Sequence, residues 1–170
     1  MTTHQEDDVL ERLNEQDGPR GFFLEVVTIL EEAVDSLMRR AFRQEEYAVK
    51  YAIEPLLNQS GPLGQLEVRL KLIFALGLIS LERYQDLEAY LKIRDFLVRD
   101  PKDYRFSDKP IRDLLGRLHA IHQTSMMPPA NEEDWPLYQM QLNRLDQMVR
   151  SALVLAVTDC VTELHKESPI

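Results

Sequence analysis

His119 and His122 set two imidazoles three residues apart, on one face of any helix that carries them, which is how a metal site can begin. The rest of a ligand set is missing. None of the four histidines follows a glutamate by three residues, so the Glu-x-x-His pattern of di-iron bundles is absent, as is His-Glu-x-x-His. Both histidines are read as surface or capping residues, and no metal or cofactor site is assigned. Cys160, the one thiol, falls on an apolar stripe beside Asp159, whereas a reactive thiolate needs an electropositive setting. There is no Gly-x-Ser-x-Gly elbow, phosphate-cradling glycine loop or Gly-x-Gly-x-x-Gly turn to seat a nucleophile or a nucleotide. No catalytic residue is assigned, and an enzyme is not expected.

Charge argues against nucleic acid. The formal net charge is −9, and DNA binders draw most of their affinity from Lys and Arg neutralising phosphates. Residues 72–95 come nearest to a helix-turn-helix, with Gly77 in the turn and Ser80 opening the second helix. That helix would lead with Glu82, Asp86 and Glu88 against Arg83, where base edges and phosphates require donors and cations. Direct contact with DNA is therefore disfavoured. The densest cationic region, Lys92, Arg94, Arg99, Lys102, Arg105, Lys109, Arg112 and Arg117, is interleaved with Asp95, Asp100, Asp103, Asp108 and Asp113. It reads as a solvated mixed-charge face that could dock an acidic protein surface, with the apolar residues of 126–135 as an anchor.

The elements that must position these residues are helices. Apolar residues recur at helical spacing along almost the whole chain, and no stretch alternates as a strand would. The expectation is an all-α fold: one domain over residues 1–170, an irregular bundle of about six to seven helices with a long C-terminal helix. Asp7 or Asp8 is expected to cap a short first helix ending near Asn14, making residues 1–17 a loosely docked acidic arm closed by Asp17-Gly18-Pro19. Phe23, Val26, Leu30, Val34, Leu37 and Ala41 predict a helix over 19–43. A third helix over 45–57 should bend or end at Pro55, with Tyr47 and Tyr51 on one face.

Ser60-Gly61-Pro62 predicts a loop and then a fourth helix beginning at Pro62, with Leu63, Leu66, Leu70, Ile73 and Gly77 inward and Glu67, Arg69 and Lys71 on the other sides. Gly77 is expected to allow close helix contact. Ser80 should cap a fifth helix to about Val98, stopped by Asp100-Pro101, with Leu87, Leu91 and Phe96 inward. Asp108 and Pro110 mark a sixth helix to about Gln123, followed by a loop to Trp135-Pro136. The last helix, over 136–165, aligns Tyr138, Leu142, Leu145, Val149, Ala152, Ala156, Cys160 and Leu164. That stripe fits an internal helix or one paired across a two-fold axis, so a homo-oligomer stays open.

The amino terminus is acidic where an export signal would be basic and then apolar, and no apolar run approaches the roughly 20 residues a membrane span needs. With a single cysteine, the expectation is a cytoplasmic protein.

The block Tyr47-Ala-Val-Lys-Tyr-Ala-Ile-Glu-Pro-Leu-Leu57, then Gly61-Pro62-Leu63-Gly64, then Val68-Arg69-Leu70-Lys71-Leu72-Ile73 resembles the mannitol operon repressor family. The similarity extends from Asp8-Val9-Leu10-Glu11-Arg12-Leu13 to Arg150-Ser151-Ala152-Leu153-Val154-Leu155. The resemblance implies an all-helical cytoplasmic regulator that represses the operon for mannitol uptake and oxidation without a recognisable DNA-reading element. It further implies a protein partner, either a transcription factor or a phosphocarrier of the sugar phosphotransferase system. Within the block, Gly61, Pro62 and Gly64 are expected to shape the turn, and Lys50, Arg69 and Lys71, with Trp135, to face the partner. Two other readings stay open: direct operator binding, and a small-ligand sensor with its pocket between helices.

Overall fold

The computed structural model describes residues 3–42, 44–121 and 135–166. In chain order the elements are α1 (Thr3–Asn14), α2 (Pro19–Ala41), α3 (Glu46–Ala48), a π turn (Val49–Ile53), α4 (Glu54–Leu57), α5 (Leu66–Ala75), α6 (Leu81–Arg99), α7 (Lys109–Leu115) and α8 (Trp135–Lys166). Since α3, the π turn and α4 are continuous, the described residues form seven helical stretches, with no strand among them. The fold is all-helical with a long C-terminal helix.

α2 is the axis of the bundle and packs against α1, α5, α6 and α8. Gly18 is extended, and Pro19 then opens the helix where its missing N–H has no intrahelical partner to lose. Phe22, Phe23, Val26, Val34 and Leu37 are fully buried along it. Phe22 meets Phe106 edge-on, with centroids 5.3 Å apart. α6 begins at Ser80, whose hydroxyl accepts the Arg83 N–H, and buries Leu87, Tyr90, Leu91, Ile93 and Leu97. α8 is about 48 Å long and buries Leu145, Val149, Leu153, Val157, Cys160 and Leu164 against the same core.

Five expectations need correction. α1 starts at Thr3, so Asp7 and Asp8 lie within the helix and do not cap it. Nor is it a loose arm: Val9 and Leu13 are buried, and Arg12 pairs with Asp8, Glu25 and Glu32. The arginine cross-links α1 to α2, so local acidity misled. The helix expected from Pro62 starts only at Leu66, because residues 58–65 fold back on the end of α4. Gly77 is not a helix contact. It takes φ 74 just past α5, where its N–H donates to Phe74 O and that of Leu78 to Ile73 O, a Schellman termination only glycine adopts without strain. Finally, α7 stops at Leu115 with Gly116 following, and turns carry the chain on to Ile121.

Candidate functional site

Pro55 dictates the local geometry of the Tyr47–Gly64 region. It has no N–H, and its ring crowds the carbonyl one turn back. The helix answers with a π turn directly upstream, where the Glu54 N–H reaches Val49 O, and ends two residues past the proline. Such turns frequently occur at functional sites. Tyr47 on α3 and Tyr51 on the π turn are 75% and 59% exposed, with ring centroids 4.7 Å apart, and the Lys50 ammonium lies 5.3 Å from the Tyr51 ring centroid. Only Ile53 and Leu57 of this stretch are buried.

The chain then turns back on α4 through Gly61, Pro62 and Gly64. The Leu63 N–H donates to Leu56 O at 2.9 Å, and that of Gly61 to Asn58 O at 2.9 Å. A Cβ on Gly61 would stand 2.2 Å from Pro55 O, and one on Gly64 2.5 Å from Asn58 O. Both glycines are there because backbone passes against backbone. Pro62 is exposed at the tip.

Arg69 was expected to face a partner and instead turns inward. Its side chain is 8% exposed; Nε donates to Leu63 O and Nη2 to Leu57 O, each at 2.6 Å, and Nη1 lies 3.4 Å from Asp35 Oδ1. Asp35 also holds Arg39, which reaches Glu54 on the helix end. The arginine is the tie of the turn, chosen because orphaned carbonyls at a helix end need donors. Lys50 and Lys71 are exposed, Lys71 on α5. Trp135 is the first residue of α8, and its side chain falls outside the described ones.

The helix pair α5 and α6 does not present a groove reader. Asp86 in the first turns of α6 is buried and accepts the His119 N–H at 2.7 Å, while Arg83 is paired with Glu163. α6 buries one face, from Asp86 to Leu97, and leaves the acid Glu82 exposed in its first turn, where a groove reader would need a cation. Of the cationic run, Arg94 and Arg105 are held by Asp95 and Asp146, and Arg112 Nε donates to Ser107 O. His119 Nε2 meets Gln85 Oε1 at 2.9 Å, and His122 lies outside the described residues, as does the loop expected across 126–134. Among the described residues no group of three His, Cys, Asp or Glu side chains is arranged to hold a metal, and no helix is long and apolar enough to cross a membrane. Cys160 is fully buried, and desolvation pushes its thiol up to about 12 despite the neighbouring Arg83.

Sequence reasoning passed over one concavity, a cleft of about 830 Å³ between the turn after α1 and the outer side of α8, bounded by Asn14 and Asp17 and by Asn143, Asp146, Gln147, Arg150, Ser151, Val154 and Leu155. Its walls come from residues about 130 apart, and only the docking of α1 on α8 brings them together.

Comparison with known proteins places these features. A family model described as mannitol repressor matches residues 5–165. The chain is 43% identical over 159 residues to the mannitol operon repressor of Escherichia coli K12, spanning 94% of this chain and 82% of that one. It is 33% identical over 169 residues to a protein named Fumarase E from the same organism, spanning 96% and 99%. Among solved structures, one from the MtlR–HPr complex of Escherichia coli superposes with a TM-score of 0.90 at 43% identity, covering 95% of this chain and 99% of that one. YggD of Shigella flexneri 2a, described as a possible transcriptional regulator, superposes with a TM-score of 0.79 at 30% identity, covering 96% and 99%. By sequence over nearly its full length and by fold, the chain belongs to the mannitol repressor family.

Proposed function

We propose that this protein is a cytoplasmic negative regulator of a mannitol utilisation operon that works by gripping another protein, with HPr as the partner, and that it reads no DNA itself. The observation that carries this is the superposition, at 43% identity, on the chain of a repressor solved together with HPr. The net charge of −9 and the acidic first turn of α6 point the same way. Lys50, with Tyr47 and Tyr51 beside it, is the contact surface we favour: tyrosine is the residue type over-represented among interface residues whose truncation costs most. Lys71 and Trp135 remain contact candidates outside this patch. Titration of the purified full chain with purified HPr tests the reading. Saturable binding supports it, and absence of binding at high micromolar concentrations overturns it. Footprinting of a mannitol promoter by this protein alone at physiological salt would overturn the DNA-independent part.

The relative named Fumarase E favours a second reading, a hydratase acting on a dicarboxylate. The 830 Å³ cleft is a concavity of suitable size, and its lining suits a dianion poorly. Asp17 and Asp146 face it, and the guanidinium of Arg150 donates to the carbonyls of Leu13, Asn14 and Gln16. We therefore propose that the protein is not an enzyme. Loss of fumarate absorbance on addition of the purified chain would restore the hydratase reading.

A further inference from the structure

We propose that the cleft between the turn after α1 and α8 is a binding site for a small, uncharged, polyhydroxylated molecule. At about 830 Å³ it lies within the range of small-molecule sites. The hydrogen-bonding state of its walls selects the ligand class. Its cations are partly engaged: Arg150 Nη2 donates to three main-chain carbonyls, and the adjoining Arg105 is held by Asp146 and Asn143. Both oxygens of Asp146 are also taken, one by Arg105 Nε and one by the Ser107 N–H, each at 2.7 Å.

The side chains of Asn14, Asp17, Gln147 and Ser151 are left open, all exposed to the cleft, together with the amide NH2 of Asn143. Amides and a hydroxyl both donate and accept, as the hydroxyls of a polyol do, and the Asp17 carboxylate can accept from two of them at once. Val154 and Leu155 supply an apolar strip for the C–H side of such a chain. An anion would meet the carboxylates of Asp17 and Asp146 here, and of the two guanidiniums one is paired with Asp146 and the other is tied by Nη2 to main-chain carbonyls. The anion also approaches the most acidic part of the molecule, since the first 36 residues hold ten acids and two arginines. A purely apolar ligand would bury these polar groups without partners. The site lies on other elements than the Tyr47–Tyr51 patch, and the inference does not depend on the partner reading.

D-mannitol, an uncharged six-hydroxyl chain, is the probe. Thermal unfolding and calorimetric titration of the full chain are measured against glycerol at equal mass concentration, because excluded polyols stabilise any protein in proportion to concentration. The expected result is a saturable rise in midpoint with mannitol. Asp17→Ala and Gln147→Ala, both at exposed positions, are each expected to weaken binding about tenfold. Mannitol 1-phosphate is expected to bind at least tenfold more weakly than mannitol. A mannitol response that is linear and equal to that of glycerol overturns the proposal. So does saturable binding that neither variant weakens, or a phosphate ester that binds as tightly as the free polyol. Capture of HPr is measured separately, so failure of one reading leaves the other standing.

Discussion

Arg69 Nη1 and Asp35 Oδ1 lie 3.4 Å apart, and through that contact the turn of the Tyr47–Gly64 region is fixed to the axis of the bundle. Asp35 is on α2, while Arg69 reaches back from α5 to the carbonyls of Leu57 and Leu63. With its side chain 8% exposed, Arg69→Ala leaves two main-chain acceptors without their donor, while Asp35 keeps Arg39, and is expected to cost about 3 kcal/mol. Lysine has one ammonium and cannot span the three acceptors, so Arg69→Lys should recover less than half of that loss. Asp35→Asn is expected to cost about 1 kcal/mol, since that carboxylate is partly exposed and the carbonyl bonds persist. Chemical denaturation of the three variants gives the order, and an Arg69→Ala protein as stable as the parent would remove the tie.

Glycine substitutions are expected to rank by what a new Cβ meets. Gly61→Ala and Gly64→Ala push a methyl into main-chain oxygens at 2.2 and 2.5 Å, so the turn must move, at an expected cost above about 2 kcal/mol each. Gly77→Ala meets no atom within 4 Å but keeps φ 74, an expected cost of about 1 kcal/mol. Gly18→Ala meets nothing within 4 Å at a φ of −134, and should be neutral. Midpoints of denaturant unfolding test the ranking, and equal losses at Gly61 and Gly18 would contradict it.

These residues also mark how far the sequence could be read. Local signals were legible: the apolar stripe of α2, the Ser80 cap, and the proline at the end of the third helix each depend on residues within a few positions. What escaped depends on distant contacts. Arg69 reads as a surface cation because charge predicts exposure, and only the carbonyls of Leu57 and Leu63 draw it inside. Pro62 reads as a helix start because its φ suits one, yet the Leu63 N–H is taken by Leu56 O. For the candidate site, the shared face of Tyr47 and Tyr51 was visible, whereas their exposure depends on which distant elements pack against that stretch. The cleft needed α1 docked on α8.

Asp100 carries the clearest pH signature. The Tyr104 hydroxyl donates to it at 2.6 Å and the Lys102 N–H at 3.1 Å, which hold its carboxyl below the usual range, Tyr104 foremost. A carboxyl lowered by folding contributes stability above its unfolded midpoint and loses it as pH falls through the folded one. Tyr104 shifts the opposite way, raised chiefly by the same hydrogen bond, so its contribution holds at neutral pH and is lost as pH rises through its own folded midpoint. In Tyr104→Phe the Asp100 midpoint should move up towards the ordinary value while staying somewhat low, because the main-chain donor remains. Carboxyl NMR titration reads this directly, and an unchanged midpoint would show that the hydroxyl does not set the shift.

The Tyr47–Tyr51 patch gives the most direct functional test. Two tyrosines in tilted contact, one on α3 and one on the π turn and both more than half exposed, bury little on folding, so their substitution should leave stability within about 0.5 kcal/mol of the parent. On binding they can bury large, rigid surface, and truncating a central aromatic typically costs 2 kcal/mol or more, about 30-fold in affinity. Tyr51→Ala is expected to weaken HPr binding by that order, and Lys50→Glu to slow association, because a rim charge acts mainly on encounter. Circular dichroism should show unchanged helix content, and Lys71→Glu on α5 serves as the comparison outside the patch. If Tyr51→Ala binds HPr like the parent while Lys71→Glu does not, the contact surface belongs to α5, and the π turn is only the fold's accommodation of Pro55.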